Sequence, residues 1–286
     1  ASVKLTGLHG YAQHPKLPDS LLMFEKRMAG GAIASLAEKK VVSYFSASPG
    51  RVFYGHGCFA NDPHAVYCVE WAQPDGESYL VVRNPADGGK ISESRLNLAR
   101  AHDLVFSPRL GKLLVASRGH VLTIDPTSLA EEARYATADP DIFLDHICEV
   151  GDAFVVSGNR RVFAAGKSAP IVPNSPFLLS QGKLGDFISG KFPSLLEQFD
   201  VEADVSGEFV GISYPLSKAA AVFSASSREV LKTYEFSSTV SSVNAAPQGG
   251  FLFREAGGKV WLSEPGKWEL RLLTTAPVSS AHAILI

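Results

Sequence analysis

The chain has 286 residues, 45% of them hydrophobic and 20% charged, with 27 basic against 29 acidic side chains. A formal net charge of -2 leaves no basic footprint for nucleic acid, and no apolar run reaches the roughly 18 residues that a membrane span needs. Three cysteines are too few for a disulfide scaffold, and the start at Ala1 without a basic-then-apolar leader fits either a removed export signal or a trimmed cytosolic chain.

In chain order, apolar runs appear at Val41-Val42-Ser43-Tyr44-Phe45, Ala65-Val66-Tyr67-Cys68-Val69, Leu113-Leu114-Val115-Ala116, Ala153-Phe154-Val155-Val156, Phe209-Val210-Gly211-Ile212 and Gly250-Phe251-Leu252-Phe253. Each is too short for a helix and is bounded by turn residues, so each predicts a β-strand. Gly249-Gly250 and Gly257-Gly258 are hairpin signals. Ser128 and Glu131 have capping-box spacing, but Ala133 to Thr137 shows no amphipathic stripe, so a single turn in a loop is expected. Phe192 to Phe199 is expected as a short helix. Between Ser168 and Glu197, four prolines and the run Gly182-Lys183-Leu184-Gly185-Asp186 predict an irregular surface insertion.

Histidines recur ahead of these runs. His9, His56, His102 and His146 are separated by 47, 46 and 44 residues, and His282 follows 136 residues later, close to three more periods. With equivalents near positions 201 and 242, this makes seven first strands in units of 40 to 50 residues. Four short strands per such unit is the signature of a β-propeller. The expected fold is therefore all-β, one propeller domain over residues 1–286. Seven blades with an abbreviated closing blade are preferred, and six blades with the termini sharing one are the alternative.

The segments Leu8-His9-Gly10-Tyr11-Ala12-Gln13-His14-Pro15, Phe53-Tyr54-Gly55-His56-Gly57-Cys58-Phe59-Ala60, His102-Asp103-Leu104-Val105-Phe106-Ser107-Pro108, Asp145-His146-Ile147 and His282-Ala283-Ile284-Leu285 resemble, in order and spacing, the DUF1513 family. The Tyr-Gly-His-Gly stretch is the most specific part of the likeness. The resemblance implies a seven-bladed propeller exported to the periplasm through a twin-arginine signal. It also implies genomic company with imelysin-like periplasmic proteins tied to iron uptake. The chain departs from the family in starting late, where three strands of the closing blade are usual, and in having Cys58 and the turn Asn61-Asp62-Pro63.

First strands line a propeller's channel, so His9, His56, His102, His146 and His282 are expected to converge at one end of it, joined by Glu202, Asp204 and Asn244 as further ligand-binding groups. Neutral imidazoles with one or two carboxylates suit a transition metal such as Fe, Cu or Zn. The alternative is a set of structural histidines linked by ordered water. Cys58 and Cys148 each follow a register histidine by two residues, which places them on its strand face; small buried fillers are the preferred reading. Cys58 and Cys68 flank Pro63 symmetrically, which permits a cross-strand disulfide. Asp103 and Asp145 alternate to the face opposite their histidines, and His14, His64 and His120 are expected to face solvent.

No nucleophile elbow, phosphate loop or zinc-protease motif is present, so no catalytic residue is assigned. The expected function is a periplasmic binding or accessory protein, monomeric, holding a metal or small ligand at the channel mouth in an iron-linked pathway. The family resemblance makes imelysin-like or other periplasmic proteins its expected partners. Two alternatives are an interaction scaffold and a metal-dependent hydrolase of the lactonase type. The hydrolase is disfavoured because such sites use clustered Glu, Asp and Asn. A WD40-type scaffold is disfavoured because none of Trp71, Trp261 and Trp268 is followed by Asp.

Overall fold

Short β-branched and aromatic runs closed by Gly, Pro or Asx turns leave the chain little choice but a succession of hairpins. The computed structural model describes residues 8–73, 76–164, 167–172, 174–190 and 194–275, and they form six antiparallel sheets. Two compact units each hold three of them, residues 1–134 and 135–285.

In the first unit, blade one is β1 (Leu8–Gln13), β2 (Ser20–Glu25), β3 (Gly30–Ser35) and β4 (Lys40–Ser46). Blade two is β5 (Arg51–Phe59), β6 (Val66–Ala72), β7 (Glu77–Arg83) and β8 (Lys90–Ala99). Blade three is β9 (Leu104–Ser107), β10 (Lys112–Ser117), β11 (His120–Ile124) and β12 (Glu131–Ala136). All three are simple meanders. In the second unit, β13 (Ile142–Val150), β14 (Ala153–Ala164), β15 (Lys167–Val172), β16 (Phe177–Ser180) and β17 (Lys183–Asp186) form blade four, with β15 pairing only β14. Blade five is β18 (Val201–Ala203), β19 (Phe209–Tyr214), β20 (Ala219–Ser224) and β21 (Val230–Glu235), with a 3-10 turn at Pro215–Ser217 between β19 and β20. Blade six is β22 (Val240–Ala245), β23 (Phe251–Glu255), β24 (Lys259–Ser263) and β25 (Leu270–Thr275).

The core lies between blade faces. Leu22, Phe24 and Phe45 of blade one pack on Phe53, Cys68 and Val81 of blade two. Val69 and Leu80 of blade two pack on Leu104, Leu113 and Leu122 of blade three. In the second unit, Val150 and Val155 meet Val210, Ile212 and Phe223, and Ala220 and Val222 meet Val243, Phe251 and Phe253. A strand buried on both faces reads as a continuous apolar run, which is why the second strands of blades two to six stood out in the sequence. In blade one the run from Val41 to Phe45 is instead the outer strand β4.

Six blades replace the seven expected. The starts near 9, 56, 102, 146, 201 and 242 fall in or beside β1, β5, β9, β13, β18 and β22, whereas the one near 282 lies outside the described residues. Six blades, five of four strands and one of five, account for all the strands from Leu8 to Thr275 among the described residues. The stretch after Ser168 is no passive insertion either, because β16 and β17 are the outer strands of blade four. Its extra length goes into the extension of β14 and into β15. Residues 194–199 are irregular, not helical, and Ser128 stands in the turn before β12, which takes up Ala133 to Ala136. Among the described residues no helix is long and apolar enough to cross a membrane.

Glu255, at the end of β23, shows how blade six holds a buried carboxylate. Burial alone would raise its pKa, but the hydroxyls of Ser237 and Ser238, the Ser238 N–H and the Trp261 indole N–H all donate to it and bring it down to about 2. A carboxyl depressed in the fold stabilises it above the unfolded carboxyl range and loses that contribution as pH falls towards 2. Urea denaturation of the wild type and of Glu255→Gln should therefore show a stability gap at pH 7 that closes progressively below about pH 4.

Candidate metal and ligand site

The first strands are not regular at the histidines. The β1–β2 register shifts between Leu8 and Gly10, the β5–β6 register between Phe53 and Gly57, and the β13–β14 register between Leu144 and Ile147. These bulges contain His9, His56 and His146 respectively. A bulge adds an unpaired residue and re-aims its side chain, so face counting by twos fails across it.

Glycine makes the bulges of blades one and two fit together. A Cβ on Gly10 would lie 1.9 Å from the Gly55 carbonyl oxygen, and one on Gly55, at φ +106, would lie 2.3 Å from Cδ2 of His9. Only glycine allows these strands to approach so closely. His102, ahead of β9, is fixed differently. The Trp71 indole donates to the Ala101 carbonyl at 2.7 Å, and the Ala101 N–H donates to Ser78 Oγ at 2.8 Å. The His102 N–H donates to the Ala116 carbonyl, and the Ala116 N–H returns to the Asp103 carbonyl.

These devices bring three imidazoles of the first unit together. His9 and His56 have ring centroids 4.9 Å apart, His56 and His102 5.1 Å, and His9 and His102 5.9 Å. One potential ligand nitrogen from each lies within 4.8 Å of the others. His9 and His102 are buried, and His56 is partly exposed. Asp103 Oδ1 is 3.4 Å from Nδ1 of His56 and also accepts the Leu104 N–H. Asp103 thus faces the histidines, contrary to the expectation from alternation.

Three further residues frame the group, and the sequence offered no pattern to pick out the first two. Lys26 Nζ lies 3.3 Å from Nε2 of His9 and 5.1 Å from the centre of the Tyr54 ring. Arg27, at a positive φ of 62, donates to the Tyr54 hydroxyl. Tyr54 stacks on Trp71 and meets His102 edge-on at 4.7 Å.

In the second unit His146 is buried, and its Nδ1 lies 2.5 Å from the Phe199 carbonyl. Because a carbonyl only accepts, Nδ1 carries the proton and Nε2 keeps the lone pair. Ser157 Oγ donates to the same carbonyl and accepts the His146 N–H. Asp145 accepts a hydrogen bond from Asn159. The Asp204 carboxylate closes its own turn on Ser206 and on the N–H groups of Glu208 and Phe209. Glu202 is half-buried on β18, and Asn244 stands on β22 with a buried Oδ1 lacking a partner among the described residues. His282 lies outside the described residues.

The cysteines are free thiols. Cys58 pairs Tyr67 and Cys68 pairs Gly57, and the two side chains enter different cores, so no disulfide joins them. Burial pushes the Cys58 thiol up and the Cys68 thiol up to about 12, so both are held as neutral thiols. Cys148 is buried in the apolar core of the second unit. Of the histidines expected at the surface, His64 is exposed, His120 is half-buried and His14 is buried.

A model of the DUF1513 family, described as a protein of unknown function, matches residues 5–148. No curated protein matches the chain in sequence. Among solved structures, the crystal structure of the RRP9 WD40 repeats is similar, with a TM-score of 0.72 and 10% identity over 97% of this chain and 82% of that one. At that identity the likeness bears on the fold alone, and it agrees with the meander blades: the fold is a β-propeller.

Proposed function

The chain belongs to the DUF1513 family, and from that premise we propose that it is an exported, periplasmic accessory protein that binds a transition-metal ion through His9, His56 and His102. The observation that carries this reading is the convergence of three ligand nitrogens within 4.8 Å of one another. A tetrahedral ion with bonds of about 2.0–2.1 Å spaces its nitrogens by about 3.4 Å, so side-chain shifts of about an ångström would complete the contact. Imidazole donors select Zn, Cu, Fe or Ni over Ca and Mg. Bound there, the ion would supply a Lewis-acidic centre.

The surrounding residues fit such a role. Asp103 beside Nδ1 of His56 is the outer-shell carboxylate that fixes a ligand's tautomer and leaves Nε2 for the ion. Lys26 donates to Nε2 of His9, so its ammonium occupies that lone pair and must swing aside when an ion enters. An iron-linked role alongside imelysin-like proteins is the pathway reading that goes with this site.

Equilibrium dialysis of untagged protein against Zn, Cu and Fe(II), followed by elemental analysis, tests the proposal. His56→Ala and His102→Ala should each weaken binding by more than about tenfold, and Asp103→Asn by about tenfold. Lys26→Met should tighten it, because a competing cation is removed. Wild-type protein that retains no metal above background would sink the reading.

A further inference from the structure

A second site lies in the first unit and is independent of the three histidines. A cavity of about 500 Å³ opens between blades one and two, with Leu17, Ile33, Val42 and Pro85 forming much of its wall. That volume is in the range of small-molecule sites. His14 lines it and is only 7% exposed, with its ring against Phe59 at 5.0 Å. Its Nδ1 accepts the N–H groups of Lys16 at 3.1 Å and Leu17 at 3.0 Å. Two donors on Nδ1 place the ring proton on Nε2. Among the described residues that Nε2–H has no acceptor, so it is left to a ligand or to water.

The charge of the lining points the same way. Lys16 and His64 stand at the rim, and among the described residues no carboxylate lines the cavity. Apolar walls, one fixed donor and a cation together recognise a molecule with an apolar body and a single anionic head. We propose that this cavity binds a small amphipathic carboxylate, with the head received by His14 Nε2–H and the Lys16 ammonium and the body lying along Leu17, Ile33 and Val42.

Isothermal titration of the purified protein with decanoate, decanol and decylammonium below their micellar concentrations tests this. Decanoate should bind, decanol at least tenfold more weakly, and decylammonium not measurably. Lys16→Glu should weaken decanoate at least tenfold. His14→Asn keeps an acceptor for the two N–H groups while removing the Nε2 donor, and should do the same at an unchanged melting temperature. If that variant unfolds, Lys16→Glu and the decanoate-to-decanol ratio decide. Equal affinity for decanoate and decanol, or no effect of Lys16→Glu, would overturn the proposal. A concentration-dependent dimer abolished by Val42→Glu would overturn it too, by giving the groove to a second copy of the chain.

Discussion

Gly55→Ala is expected to destabilise the protein by about 3–5 kcal/mol, combining a left-handed backbone position with an overpacked contact. The new methyl would meet His9 at 2.3 Å, and φ +106 is a conformation that alanine avoids. Gly10→Ala faces an even harder obstacle, because the atom 1.9 Å away is the Gly55 carbonyl oxygen, which no rotamer change can move. Thermal or urea denaturation measures the loss. Both substitutions push blades one and two apart where His9 meets His56, so a variant that still folds should also lose metal affinity. Wild-type stability in Gly55→Ala would mean that the strands do not approach as described.

Glu70→Ala should cost a similar amount, about 3–5 kcal/mol, because it strands a buried cation. Glu70 is fully buried on β6, and Arg83, on β7, is 2% exposed. One Glu70 oxygen pairs with the Arg83 guanidinium while the other accepts the Ser48 N–H at 3.1 Å. The guanidinium also donates to the Gly88 carbonyl and lies over the rings of Phe45 and Phe53. Without its carboxylate it would remain charged among aromatic rings. The double variant Glu70→Leu, Arg83→Met should lose much less than the sum of the two single changes, since it removes both charges together. Additive losses in that cycle would show that the pair is not coupled.

Much of the fold was legible in the chain. In blades two to six the second strand is largely buried on both faces and reads as an apolar run, so its place needed no tertiary information. In blade one, by contrast, the run from Val41 to Phe45 is the outer strand β4, and β2 went unmarked. The histidine period marked the first strands because each blade repeats the same local task. Blade four was misread because its prolines and glycines look like those of an insertion, while Phe177–Ser180 and Lys183–Asp186 are too short to stand out as strands. The blade count was overdrawn for a related reason: a single histidine at 282 carried the weight of a whole meander.

The candidate site was half legible. Residue type and period brought out His9, His56 and His102, whereas the Tyr54-Gly55-His56-Gly57 stretch stood out only as part of the family likeness, and the need for glycine there emerged from the close approach of the strands. Alternation then failed on Asp103, which stands beside His56, because His56 lies within an irregular stretch of β5 and Asp103 precedes β9. Lys26 and Arg27 carried no signal, since nothing local says that the end of β2 reaches Tyr54 across a blade boundary.

The sequence by itself determined the class of fold, the blade period and the imidazoles available, because strand length, turn chemistry and repetition are local properties of a chain. Only the tertiary structure decided where those imidazoles point and what stands beside them. Bulges, a glycine-permitted contact and a loop fixed by Trp71 set those directions, and each depends on residues tens of positions apart meeting across packed sheets.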